Sequence, residues 1–216
     1  MFDDLDKTLE QLLRHELPPV LLEHVSISFI APDGEFPPAA VTLPSINLFL
    51  YDVRENRDLR SNDWYLERRE DGSTLRQRPP VRVDCSYLIT AWPSEAAPNP
   101  AADEHKLLGE VVRVLVRHPV IPEVLLQGSL AGQQPPLPAI TIQQSQLQSW
   151  GDFWQAIGSK PKAALNYTVT IGVPSDRPVD TERPVTDKAL NFTPGSLVPA
   201  RVPSRSCVIA SPSPDM

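Results

Sequence analysis

Twenty-five of the 216 residues are proline, about 12% where soluble domains use about 5%. Proline has no amide hydrogen and a fixed φ, so it ends helices and is kept out of central strands. A long helical bundle is therefore not expected. The prolines must stand in loops, at sheet edges and in a tail, with the regular elements between them.

Read on that basis, the chain divides. Leu5, Leu9, Leu12 and Leu13 form one stripe of an amphipathic helix over Asp4 to Glu16, which Pro18-Pro19 stops. Val25 to Phe29 alternates with the period of a strand, and Ser45 to Val53 is a nearly continuous apolar run suited to a central strand. Val81 to Trp92 is the longest strand signal, with Val81, Val83, Cys85 and Tyr87 on one face and Arg82, Asp84 and Ser86 on the other. Ala102 to Arg117 reads as the best helix, with Leu107, Leu108, Val111 and Leu115 buried and Pro119 as terminator. Ala139 to Ile142 is a short strand. Ser145 to Ile157 reads as a helix opened by a Ser145–Gln148 capping box, and Leu165 to Ile171 as the last strand.

Two segments break the pattern. Arg54 to Arg78 mixes seven arginines with acids around Trp64, Tyr65 and Leu66, and Glu70-Asp71-Gly72-Ser73 is a turn signal. It reads as an extended or hairpin arm at about 54–80. From 174 to 216 there are eight prolines among Ser, Thr and Asp, without helical period; this reads as a tail. The organisation expected is an α+β domain over 1–173, with a mixed, largely antiparallel sheet and packed helices, followed by the 174–216 tail.

Charge and composition narrow the function. The 41% of hydrophobic residues suffices for a core in a chain this long. A net charge of −7 argues against nucleic acid, which demands clustered positive charge. No apolar run approaches the roughly 18 residues of a membrane span, and the acidic Met1-Phe2-Asp3-Asp4 start is unlike a signal peptide. A cytoplasmic origin follows, with Cys85 as a small core residue and no disulfide expected to Cys207.

Templates for chemistry fail in turn. There is no Gly-rich phosphate loop, no Gly-x-Ser-x-Gly elbow, no CxxC and no HExxH. His15, His24, His105 and His118 are scattered, and His118 suits a helix C-terminus. Asp52, Asp84 and Glu110 have no spacing that specifies an acid/base pair; Asp84 suits a cross-strand arginine. Neither a catalytic residue, a metal nor a cofactor is expected. The arm offers instead a protein interface, aromatic anchors within a mixed-charge rim: Arg57, Arg60, Trp64, Tyr65, Leu66, Arg68 and Arg69.

The order of segments adds a further reading. Asn47-Leu48-Phe49-Leu50-Tyr51-Asp52-Val53, continuing to Asn56 and Leu59-Arg60, precedes Pro79-Pro80-Val81 and Tyr87-Leu88-Ile89-Thr90-Ala91. Then come Glu104-His105-Lys106-Leu107-Leu108-Gly109, His118-Pro119, Trp154 and Leu165-Asn166-Tyr167-Thr168-Val169. Over roughly 5–174 this succession resembles the cap, or tail-terminator, proteins of phage-tail-like contractile injection systems of the antifeeding-prophage group. The resemblance implies a phage tail-terminator-like fold and a non-enzymatic structural protein without cofactor. It implies a homo-oligomer, a hexameric ring at the distal end of the particle, that meets sheath and inner tube and ends their polymerisation. Another tail-end component, a baseplate adaptor or tube initiator, is the alternative.

Overall fold

A computed structural model describes residues 1–61, 63–68, 74–133, 136–142, 150–174 and 179–181, the side chains of 65–68, 74–77, 150 and 179–181 excepted. The prolines fall where their chemistry puts them: among the described residues no strand contains one, and Pro19 and Pro100 open their helices at positions that need no amide donor.

Helix α1 (Phe2–Glu16) carries Asp3 and Asp4 in its first turn and Arg14 and His15 in its last, which complements the helix dipole. The short α2 (Pro19–Leu22) follows and leads to β1 (Ser26–Ser28). Next come β2 (Ser45–Glu55), the hairpin β3 (Tyr65–Arg68) and β4 (Thr74–Gln77), then β5 (Val81–Trp92) and α3 (Pro100–Arg117). Asn99 caps α3 by accepting from the Ala102 amide at 3.3 Å. Two 3-10 turns, Glu123–Leu125 and Gly128–Leu130, lead to β6 (Ala139–Thr141), α4 (Trp150–Ala156), β7 (Ala164–Val173) and β8 (Val179–Thr181). The expected capping box at Ser145 and Gln148 lies outside the described residues.

Five strands form one sheet in the order β1-β2-β5-β7-β6; β1 runs parallel to β2 and every other pair is antiparallel. The fold is thus α+β with a mixed, largely antiparallel sheet. One face carries Ile46, Leu48, Cys85, Tyr87, Ile89, Tyr167, Val169 and Ile171 against Leu5, Leu9, Leu12 and Leu13 of α1 and Leu107, Val111, Val114 and Leu115 of α3. Fully burying a leucine stabilises by roughly 1.5–3 kcal/mol, so these two helices hold the sheet.

The opposite face is polar and also buried. Ser28, Ser45, Asn47, Ser86, Thr90, Asn166, Thr168 and Thr170 are each at most 7% exposed. They find partners in one another and in neighbouring groups: Ser28 Oγ donates to Asn47 Oδ1 at 2.7 Å, Asn47 Nδ2 donates to the Ile30 carbonyl at 2.8 Å, and Ser86 and Thr168 hydroxyls meet at 3.1 Å. Tyr51 follows Asn47 and Phe49 on this face, its hydroxyl donating to Asn166 Oδ1 at 2.7 Å, and a β-bulge between Leu50 and Asp52 then sets Asp52 opposite Ser86.

A second sheet of three strands, β3-β4-β8, stands on the arm. Its third strand comes from beyond residue 174 and pairs Val179 to Thr181 antiparallel with Arg76 to Thr74.

Candidate assembly surface at the root of the arm

The arm leaves the sheet where β2 ends and returns where β5 begins. Asparagine 56 fixes the departure. Its amide hydrogen goes to the Arg82 carbonyl at 2.8 Å, its Nδ2 reaches both Asp84 oxygens at 3.1 Å, and its Oδ1 accepts from the Leu59 amide at 3.0 Å. Asp84 also accepts from the Thr170 hydroxyl at 2.6 Å. One carboxylate therefore ties the end of β2 to β5 and β7. Asp84 stands opposite Arg54 in the strand register, while the Arg54 Nε donates to Asp52 at 2.6 Å.

Beyond this anchor the chain turns through Arg57 to Arg60, closed by the Arg60 amide donating to the Arg57 carbonyl at 3.3 Å. Arg57 and Arg60 are exposed, and Arg60 stands 3.6 Å from Glu55 across solvent. Trp64 is 37% exposed, with the Arg78 guanidinium 5.0 Å from its ring centre. Arg60, Ser61, Trp64, Arg78, Pro79, Pro80 and Val81 surround a depression of about 370 Å³. A second, of about 290 Å³, lies between Leu59, Ser61, Pro79, Pro80, Arg82, Pro136 and Pro138. Arg82, only 6% exposed, donates through Nη2 to the Pro136 carbonyl at 3.3 Å.

Residues 4–188 match the Pvc16 N-terminal domain family. The chain belongs to that family. A solved structure titled as a PVC sheath/tube terminator of an extracellular contractile injection system, in the extended state, is 25% identical with a TM-score of 0.63, over 91% of this chain and 65% of that one. The cap of the anti-feeding prophage, described as a tube terminating cap, is also 25% identical, with a TM-score of 0.56 over 87% of this chain and 60% of that one. The chain thus spans less than two thirds of either structure's length. Comparison with curated proteins found no match.

In this Pvc16-family domain, Arg60 and Trp64 come together with Arg78 and the Pro79–Pro80 segment, and Arg57 sits on the preceding turn. Tyr65, Leu66 and Arg68 lie on β3, but their side chains are outside the described residues, as is all of Arg69. Sequence reasoning passed over Leu59, Arg78, Arg82, Pro136 and Pro138. The Arg78-Pro79-Pro80 run was the available signal, because a residue before proline is held extended. Pro136 and Pro138 reach the site only through the pairing of β6 with β7.

Of the residues weighed for catalysis, His15 and His118 both approach Glu16. His15 is exposed beside Glu16, His24 and His105 are exposed, and His118 Nε2 lies 3.4 Å from Glu16 Oε2. Glu16, held first by His15 and then by His118, has its carboxyl below the usual range. Glu110 pairs with Arg113 at 2.6 Å on α3. No group of three or more His, Cys, Asp or Glu among the described residues is placed to hold a metal ion, and no helix among them is long and apolar enough to cross a membrane.

Proposed function

We propose that this chain caps a contractile injection particle, sitting as a ring on the end of the inner tube and sheath and ending their growth. The observation that carries the reading is the fold shared, at 25% identity over 91% of the chain, with a sheath/tube terminator. Membership in the Pvc16 N-terminal domain family supports it.

The physics of the task agrees. A tube is an open stack with heterologous contacts along its axis, and it stops only when its last layer meets a surface that fits it and cannot seed another. Such a plug acts by shape and turns over no substrate, and it draws on no metal or cofactor. Six copies around a six-fold axis, assembled on the particle in the cytoplasm, complete the proposal. The body (1–173) would form the ring, with the arm and the 174–216 segment reaching toward sheath or tube.

Electron microscopy of particles from a strain lacking this gene tests it. Tubes and sheaths of uncontrolled length support a terminator. Absence of any tube would point to an initiator, and particles of ordinary length would reject both. Native mass spectrometry of the purified chain with sheath and tube particles reads the ring: a six-fold species is expected.

A further inference from the structure

Two apolar features on different sides of α3 match one another. The first is a hollow of about 410 Å³ floored by Leu21, Val25, Leu107 and the rings of Pro18, Pro44 and Pro93. On its rim the charges cancel: Asp103 is paired with Lys106 at 3.4 Å and Glu110 with Arg113 at 2.6 Å. An apolar cavity of roughly 150 Å³ already takes a benzene-sized group, so this hollow has room for more than one aliphatic side chain.

The second feature is a knob. Val124 is 88% exposed and stands on the 3-10 turn Glu123–Leu125, which is entered through Pro122. Val116 and Val120 before it and Ile140 on β6 are exposed as well, and the bridge between Val120 and Pro138 sets Val120 beside β6. Single exposed apolar residues are ordinary, but a group of them marks a contact surface.

Charge and geometry identify the occupant. From Val124 to Gly151, 28 successive residues carry no charge, in a chain of net charge −7. Two copies of an acidic chain repel one another over most of their surface; they approach at least cost where charge is absent, as on the knob, or cancelled, as on the rim of the hollow. Glu123, the one charged residue of the turn, is opposite in sign to the exposed Lys106 of that rim. The knob does not serve its own hollow. Val116 lies about 130° around the α3 axis from the row Asp103, Lys106, Leu107 and Glu110, and Val124 stands free in solvent.

We propose that copies of this chain join head to tail, the Val124 knob of one seated in the proline-floored hollow of the next. The contact is heterologous, because each copy gives a knob to one neighbour and a hollow to the other, and it closes into a ring when the rotation per copy divides a full turn. The ring rests on the terminator reading; the contact itself stands on the two surfaces.

Analytical ultracentrifugation of the full chain over a concentration series tests it. The wild type should form oligomers that grow with concentration. Val124→Asp, which spoils the knob, and Ser94→Arg, which lays a charged side chain over the hollow from its rim, should each weaken self-association about tenfold or more with the melting temperature unchanged. Where Ser94→Arg melts lower, Lys106→Trp, at an exposed helix position, fills the hollow instead. An equimolar mixture of knob and hollow variants should give a dimer and nothing larger, because one intact knob and one intact hollow remain per pair. A wild-type chain that is monomeric at every concentration, oligomers untouched by either variant, or a mixture without dimer overturns the proposal; the last result would assign the hollow to another occupant, residues 182–216 or a tube subunit. No particle enters the assay, so it is read apart from length control in the deletion strain.

Discussion

Aspartate 4 links the first helix to the turn at Gly128–Leu130. Its Oδ2 accepts from the Ser129 hydroxyl at 2.6 Å and from the Ser129 amide at 3.1 Å, and these bonds hold its carboxyl well below the ordinary range. A carboxyl whose folded pKa is lowered contributes stability above its unfolded value, near 4, and loses it as pH falls through the folded value. Asp4→Asn should therefore flatten the acid limb of a melting-temperature curve taken from pH 7 to pH 2. Asp6 shows the opposite sign. Burial raises its carboxyl while the Tyr87 hydroxyl, donating at 2.7 Å, partly counters that. Its ionisation opposes folding as pH rises, so Asp6→Asn, whose amide oxygen still accepts from Tyr87, should melt no lower than wild type at pH 7. Gly128 has φ +54, and a Cβ there would fall on the Asp4 carboxylate. Gly128→Ala should cost about 1–3 kcal/mol in denaturant titration, as left-handed strain adds to displacement of Asp4. Cys85 is fully buried and its thiol is pushed up to about 12, first by desolvation. It should resist alkylation at pH 8 until the chain unfolds, as peptide mapping after iodoacetamide would show.

At the scale of elements, α1 and the arm behave differently. Leu9 and Leu12 of α1 are fully buried in the main core, so Leu12→Ala should lower stability by about 2–5 kcal/mol in urea titration. The arm sheet has its own partner strand, β8, paired to β4 over only three residues. Removing residues 175–216 takes that strand away and exposes an edge of β4. Amide exchange at Thr74 to Arg76 should then quicken by mass spectrometry, while the melting temperature of the body, whose five-stranded sheet ends at Val173, should move little. A large fall in that temperature would place the segment in the core.

At the scale of the described molecule, a five-stranded sheet carries α1 and α3 on one face and an excursion at one end. The strands fix where that end is: β2 leaves it at Glu55, β5 enters it at Val81 and β7 reaches it at Val173. The arm and the depressions at its root thus sit together, opposite the end where Ser45 pairs with Trp92. A terminator needs one surface for the last tube layer and others for its ring neighbours, and a polarised molecule supplies them. Replacing Arg60 and Arg78 with glutamine should lengthen particles in vivo without unfolding the chain; electron microscopy with a thermal melt of the purified variant checks both.

Much of this architecture is written along the chain. The leucine stripe of α1, the long alternation of Val81 to Trp92 and the prolines that bracket each element declare themselves because periodicity and missing amides act within a few residues. The second face of the sheet was not legible that way. Ser86, Thr90, Asn166 and Thr168 look solvated in sequence, and only the pairing of β5 with β7 and β2 shows them buried, with Ser86 bonded to Thr168, Thr90 to Trp92 and Asn166 to Tyr51. The root of the arm followed the same rule. Arg60 and Trp64 stood out from their composition, but the Arg82 side chain reached the Pro136 carbonyl, 54 residues on, only through the tertiary structure. Local chemistry is set by neighbours in the chain, whereas the meeting of distant residues depends on register, which the burial of the opposite face decides.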